Sequence, residues 1–214
     1  MRALIAIAAL VALPGLAQSP PTHQHSFGDA QKWSHVFDDP ERDAWQKPHE
    51  VIQALTLNSH SVVADIGAGT GYFSTRLANM LQDGRVYAVD IEPDMVQYLA
   101  ERAKKEGRAN MIAVTGAADS PRLPAKVDLV LMVDVYHHVE KRERYFRGLR
   151  KSLNSGGRVA IIDFRLDSPD GPPREARIAP DQVKAEMKKA GYVLVSEHAF
   201  LPRQYFLVFR GAYM

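Results

Sequence analysis

The chain has 214 residues, enough for one full α/β core and short for two. Its 27 basic and 25 acidic residues leave a formal charge of +2, with no polybasic run of the kind a nucleic-acid surface needs. It contains no cysteine, which excludes disulfides, thiolate metal sites, lipoprotein anchoring and cysteine nucleophiles.

The chain opens on Arg2 and an apolar run, Ala3 to Leu13, of signal-peptide length and too short to span a bilayer. Pro14-Gly15 breaks the run, and Gly15-Leu16-Ala17 offers small residues where a signal peptidase reads. Residues 1–17 are therefore expected to be a signal peptide cleaved before Gln18, and the protein to be periplasmic or secreted. An uncleaved anchor, or a cytosolic protein with a misplaced start, is the alternative. Residues 18–28 are polar and read as a flexible linker. His23 and His25 lie in it, and without rigid further ligands they read as a solvated tail, not a metal site. Residues 29–214 form one expected domain, with no repeat and no internal boundary.

From Asp29 to Leu57 the pattern is helical and interrupted, since Pro40 and Pro48 each permit a new helix start. Such an arm either covers a ligand or caps a sheet. Strands are predicted at 61–66, 85–90, 111–115, 127–133, 157–163, 192–197 and 204–210. Helices are predicted at 70–82, 93–106, 140–153 and 180–190, with Pro93 and Pro180 at starts and Gly84, Gly107 and Gly191 near ends. The runs Val127 to Val133 and Val159 to Ile162 are almost continuously apolar, as central parallel strands are. Alternation of strand and helix predicts an α/β, doubly wound sheet. Only Ala199 to Arg203 joins the last two strands, which predicts an antiparallel hairpin at the sheet edge. The basic stretch from Lys141 to Lys151 carries Tyr145, Phe146 and Leu149 at helical spacing and reads as an amphipathic helix.

The stretch Val62-Val63-Ala64-Asp65-Ile66-Gly67-Ala68-Gly69-Thr70-Gly71 reads as strand, acid, glycine turn and helix start. A glycine turn lets backbone approach a ligand, and the helix after it aims free N–H groups at the same place. A dinucleotide dehydrogenase would place its third glycine where Tyr72 stands, and no phosphate loop with a Gly-Lys-Ser/Thr ending is present. Asp65, just before the first glycine, suits a ligand with an amino group and would repel a phosphate. Asp90 ends the next strand, and its two acceptor oxygens suit a pair of hydroxyls.

Ala64 to Gly71 resembles motif I of class I S-adenosylmethionine-dependent methyltransferases. Val86-Tyr87-Ala88-Val89-Asp90 resembles their second strand, Val127 to Val130 their fourth, and Leu149 to Arg158 the helix and turn before their fifth. The likeness runs from about Val51 to Phe209 and is nearest the ubiquinone/menaquinone-biosynthesis type. It implies a Rossmann-like seven-stranded sheet in the order 3-2-1-4-5-7-6, with the last strand antiparallel, and S-adenosylmethionine as cofactor. It also implies cofactor contacts at Asp65, Gly67, Ala68, Gly69 and Gly71, with Asp90 on the ribose, Ile91 on the adenine, and Asp134. For the adenine amino group the family often has an acid directly after the glycine that follows the third strand. Here Gly116 is followed by Ala117 and Ala118, and the role passes to Asp119, which otherwise simply starts a turn before Pro121.

In open α/β sheets ligands bind past the carboxyl ends of the strands. Asp134-Val135-Tyr136-His137-His138 occupies that place after the fourth strand. Tyr136, His137 and His138 are the candidate catalytic residues, an imidazole or the phenol deprotonating or holding a hydroxyl substrate. Adjacent histidines diverge in most backbones, so no metal site is expected from the pair. Asp163, Phe164 and Arg165 are a second candidate set, and the loop Ser168 to Pro173 is a candidate lid. The expected function is methyl transfer to a small molecule by in-line displacement, with no nucleic-acid partner and no stable membrane span. The alternative is a non-catalytic binder of the same cofactor. Export sits uneasily with a cofactor made in the cytosol.

Overall fold

The computed structural model describes residues 29–212, so the segments expected to be a signal peptide and a linker, with His23 and His25, lie outside the described residues. The arm consists of three short helices, α1 (Ala30–Phe37), α2 (Arg42–Gln46) and α3 (Pro48–Ala54). Pro48 starts α3 where its missing N–H costs nothing. The sheet elements then alternate: β1 (Val62–Ile66), α4 (Tyr72–Met80), β2 (Arg85–Asp90), α5 (Pro93–Lys105), β3 (Met111–Thr115), β4 (Val127–Val133), α6 (Arg142–Leu149), β5 (Leu153–Phe164), α7 (Pro180–Lys189), β6 (Tyr192–His198) and β7 (Gln204–Gly211).

One seven-stranded sheet has the order β3-β2-β1-β4-β5-β7-β6. The first five strands pair in parallel, whereas β7 runs antiparallel to both β5 and β6. Period-two alternation divides the core between the two faces. Val63, Leu129, Leu131 and Ile162 pack beneath α3, α4 and α5 with Val51, Leu77 and Leu99. Ala64, Val130, Met132 and Ile161 pack beneath α6 and α7 with Phe146, Leu149 and Met187. As the amphipathic reading required, α6 buries Tyr145, Phe146 and Leu149. The edge strand β6 leaves Val193, Leu194 and Val195 partly exposed, and an irregular register between Leu194 and Ser196 blunts that edge.

Three of the boundaries that differ from the predicted ones have local reasons. The helix expected from 70 begins at Tyr72, because Gly71 caps it at φ +93°, a conformation that disfavours any side chain. The helix expected to reach 153 ends at Leu149 and closes with one 3-10 turn, Arg150–Ser152. Leu153 is already strand, pairing with Val127 ahead of a register break, so β5 starts four residues earlier than the continuous apolar run suggested.

Candidate active site

The carboxyl ends of β1, β2, β4 and β5 converge on one region, and acids stand at each of them. After β1 the chain turns through Gly67 at φ +72°, and the Gly67 and Ala68 N–H groups both donate to Val89 O, at 2.8 and 3.0 Å. A Cβ on Gly67 would lie 2.3 Å from Val135 Cγ2, so the turn and the segment after β4 are in direct contact. Only glycine fits both the dihedral and the gap.

Asp90 Oδ2 accepts from Gly69 N at 2.9 Å and Oδ1 accepts from Glu92 N at 3.0 Å. One backbone donor on each oxygen fixes the carboxylate and leaves further acceptor capacity on both. Beside it Ile91 is 56 % exposed, an apolar side chain in the open next to a buried acid. Asp65 is buried and accepts from Ser74 Oγ at 2.6 Å. Burial outweighs that bond and raises the Asp65 pKa to about 6; burial also raises the pKa of Asp90.

Asp134 follows β4 in the left-handed region, at φ +59°. Gln204 Nε2 donates to its Oδ1, and Arg42 Nη2 lies 3.7 Å from its Oδ2. Burial, together with the Asp163 charge, raises its pKa to about 7. The sign of the stability effect follows. The native state keeps this proton at a pH where the unfolded chain, near 3.8, has lost it. Stability contributed by the protonated acid is therefore lost as pH rises from about 4 to about 7. Asp134→Asn is expected to be more stable than the native chain above pH 7, an advantage that shrinks on acidification and is gone below pH 4. Urea titrations across that range check it.

His137 packs against the end of β5. Its Nδ1 lies 3.0 and 2.9 Å from the two Asp163 oxygens, and its backbone N donates to Asp163 Oδ2 at 3.2 Å. Asp163 Oδ1 also takes Phe164 N at 2.8 Å, so the carboxylate is held at both ends. Burial lowers the His137 pKa, but the Asp163 hydrogen bond and charge outweigh it and the net shift is upward. His138 is half-buried, and its ring centroid is 4.0 Å from that of His137, so the two rings lie together and do not diverge as expected. No group of three or more metal-ligating side chains occurs among the described residues.

Tyr136 requires a correction. It is fully buried, stacked on Phe146, and its hydroxyl donates to Glu186 Oε2 at 2.6 Å, where Arg142 Nε also donates. Burial and the Glu186 carboxylate push its pKa up. The phenol is engaged by Glu186 of α7, and we assign it a structural role. Asp119 lies exposed in a tight turn closed by Ala117 N to Ser120 O at 2.7 Å, three residues after Gly116, whose N–H donates to Asp90 O at 2.9 Å. The loop Ser168 to Pro173 is stitched down by Arg177, which donates to the carbonyls of Pro172, Arg165, Leu166, Ser168 and Asp170.

The covering element is instead the arm. A Cβ on Gly69 would meet the Phe37 ring at 3.2 Å. Arg102 Nη1 donates both to Asp38 Oδ2 and to Thr70 O, each at 2.8 Å, tying α5 and the glycine turn to the arm. Trp45 packs on Phe164, centroids 5.8 Å apart. Four residues of this site carry no local sequence signal: Arg42, Gln46, Gln204 and Tyr205. The Tyr205 hydroxyl is buried with no hydrogen-bond partner among the described residues, and its register partner across the sheet is Asp163.

The profile of a methyltransferase-domain family matches residues 57–204, a span that includes the glycine turn, Asp90, the His137–Asp163 pair and Gln204. The chain belongs to that family. The resemblance to class I S-adenosylmethionine-dependent methyltransferases, and with it the cofactor, is thus borne out. Among curated relatives, the chain is 27 % identical over 135 residues to erythromycin 3''-O-methyltransferase of Saccharopolyspora erythraea, covering 60 % of this chain and 44 % of that protein. It is 29 % identical over 153 residues to 27-O-demethylrifamycin SV methyltransferase of Amycolatopsis mediterranei, covering 64 % and 56 %. The chain thus spans about half the length of these relatives. The fold matches that of a SAM-dependent methyltransferase from Aquifex aeolicus with a TM-score of 0.79 at 24 % identity, over 86 % of this chain and 99 % of that one.

Proposed function

We propose that this methyltransferase methylates an oxygen of a small hydroxyl-bearing molecule, with His137 as general base and Asp163 as the group that orients it. The observation that carries the reading is the buried His137–Asp163 pair, set beside the glycine turn through Val135. The O-methyltransferase names of the relatives support the choice of acceptor atom.

The residues present fit S-adenosylmethionine. Asp90 has acceptor capacity on both oxygens for the ribose hydroxyls, and exposed Ile91 offers an apolar surface for the base. Asp65 and Asp134, whose proton release burial disfavours, gain from any nearby cation. The bound cofactor supplies the activated methyl group, so the protein's work is alignment, exclusion of water and proton removal. Asp163 accepts a hydrogen bond from the Nδ1–H of His137, which leaves Nε2 as the basic nitrogen. The Tyr205 hydroxyl, unpaired beside Asp163, is suited to donate a hydrogen bond to the acceptor.

A screen of hydroxyl-bearing small molecules for S-adenosylhomocysteine release tests the reading. Turnover that needs His137 supports it; turnover only with amines, or turnover indifferent to His137, contradicts it. Export through residues 1–17 belongs to the same reading, and sequencing the mature amino terminus decides between Gln18 and Met1.

A further inference from the structure

The arm is fastened over the site with little apolar burial. Ala30 is the one buried residue of α1, and Gln46 the one buried residue of α2. Segments with so few buried apolar contacts open at low free-energy cost. Helix α2 is held by Asp43, which pairs with Arg76 and accepts from the Tyr72 hydroxyl, by Trp45 on Phe164, and by a buried polar chain. Arg42 Nε and Nη2 donate to Gln46 Oε1, each at 3.2 Å; Gln46 Nε2 donates to Gln204 Oε1 at 2.5 Å; Gln204 Nε2 donates to Asp134. The two amides lie 158 residues apart in sequence, and both are buried. Neither the sheet nor α2 needs a buried glutamine, and a buried amide without a partner is costly. The Gln46–Gln204 bond is thus the buried polar link between α2 and the sheet, and it continues to Asp134 at the end of β4. Lys47, in the left-handed region at φ +46°, separates α2 from α3, which is anchored in the core by Val51 and Ile52.

We propose that Gln46 and Gln204 are positioning residues that latch the α1–α2 arm across the cofactor pocket through Asp134 and so set how long the cofactor stays. The latch rests on the methyltransferase reading for the identity of the pocket's ligand. It acts on cofactor retention.

The test compares native chain, Gln46→Ala, Gln204→Ala and the double variant, using S-adenosylhomocysteine as probe. Hydrogen exchange follows residues 30–46 against β4, and stopped-flow displacement follows ligand release. In the native chain the ligand slows exchange of the arm. Each single variant speeds both arm exchange and ligand release by about tenfold, with β4 exchange unchanged. The double variant does no more than either single one, because both break the same chain of links. Gln46→Glu keeps the acceptor for Arg42 but loses the donor to Gln204, and behaves as Gln46→Ala. Arm exchange as slow as β4 in every variant, additive effects in the double variant, or ligand release untouched by the single variants would each overturn the latch. If the native chain does not bind the probe, the cofactor reading fails instead, and arm exchange in the ligand-free variants still decides whether the amides hold the arm.

Discussion

Glutamine in place of His137 is expected to cut turnover of a hydroxyl acceptor by about a hundred- to ten-thousand-fold, with S-adenosylhomocysteine affinity unchanged. The size is that of a positioned base removed from a reaction whose nucleophile must lose a proton. The unchanged affinity follows from the layout, since the His137 ring bonds to Asp163 and not to the glycine turn or Asp90. Asp163→Asn gives a second signature. The Asp163 hydrogen bond and charge raise the His137 pKa against burial, with Asp134 adding to the rise and Arg142 opposing it. A base works deprotonated, so the native rate climbs with pH until that raised pKa is passed. Without the carboxylate, burial dominates and the pKa falls. The Asn variant should be slower at its plateau yet reach that plateau at a lower pH than the native chain. A kcat/KM profile from pH 5 to 9 reads both effects, and a midpoint that stays in place removes Asp163 from the proposed role.

Asp90→Ala is expected to weaken S-adenosylhomocysteine binding by about a hundredfold or more, the loss of two charge-assisted hydrogen bonds to a diol. The same carboxylate also holds Gly69 N and Glu92 N, so the substitution loosens the turn that the ligand sits against. Asp90→Asn separates the two effects, because it retains one acceptor oxygen and much of the shape. It should fall between Ala and native in affinity, with a thermal midpoint close to native. Equilibrium dialysis with labelled ligand measures the affinities. Native affinity in the Ala variant would remove Asp90 from the site.

The sheet was legible because its signals are local. Val127 to Val133 is apolar but for Asp128, Pro93 and Pro180 open helices, and the turn from Asp65 to Gly71 declares itself within seven residues. Asp90 was legible for the same reason, as the terminus of an unambiguous strand. Tyr136, His137 and His138 form one 3-10 turn, in which the Tyr136 side chain turns into the core while the two imidazoles lie together. Sequence does not say which one faces the core. Burial beneath α7 takes Tyr136, and the bond to Asp163 takes His137. The least legible part is the link from arm to sheet. Gln46 and Gln204 look like ordinary surface residues until the fold closes α2 over β7. Leu153 was assigned to a helix because leucine suits either state, and only its pairing with Val127 makes it strand.

The measurement that bears most directly on this account is a calorimetric titration of the purified native chain with S-adenosylhomocysteine. The account predicts saturable binding at one site per chain, lost in Asp90→Ala and retained in His137→Gln. A folded chain that gives no binding heat, or that binds equally well without the Asp90 carboxylate, would contradict it.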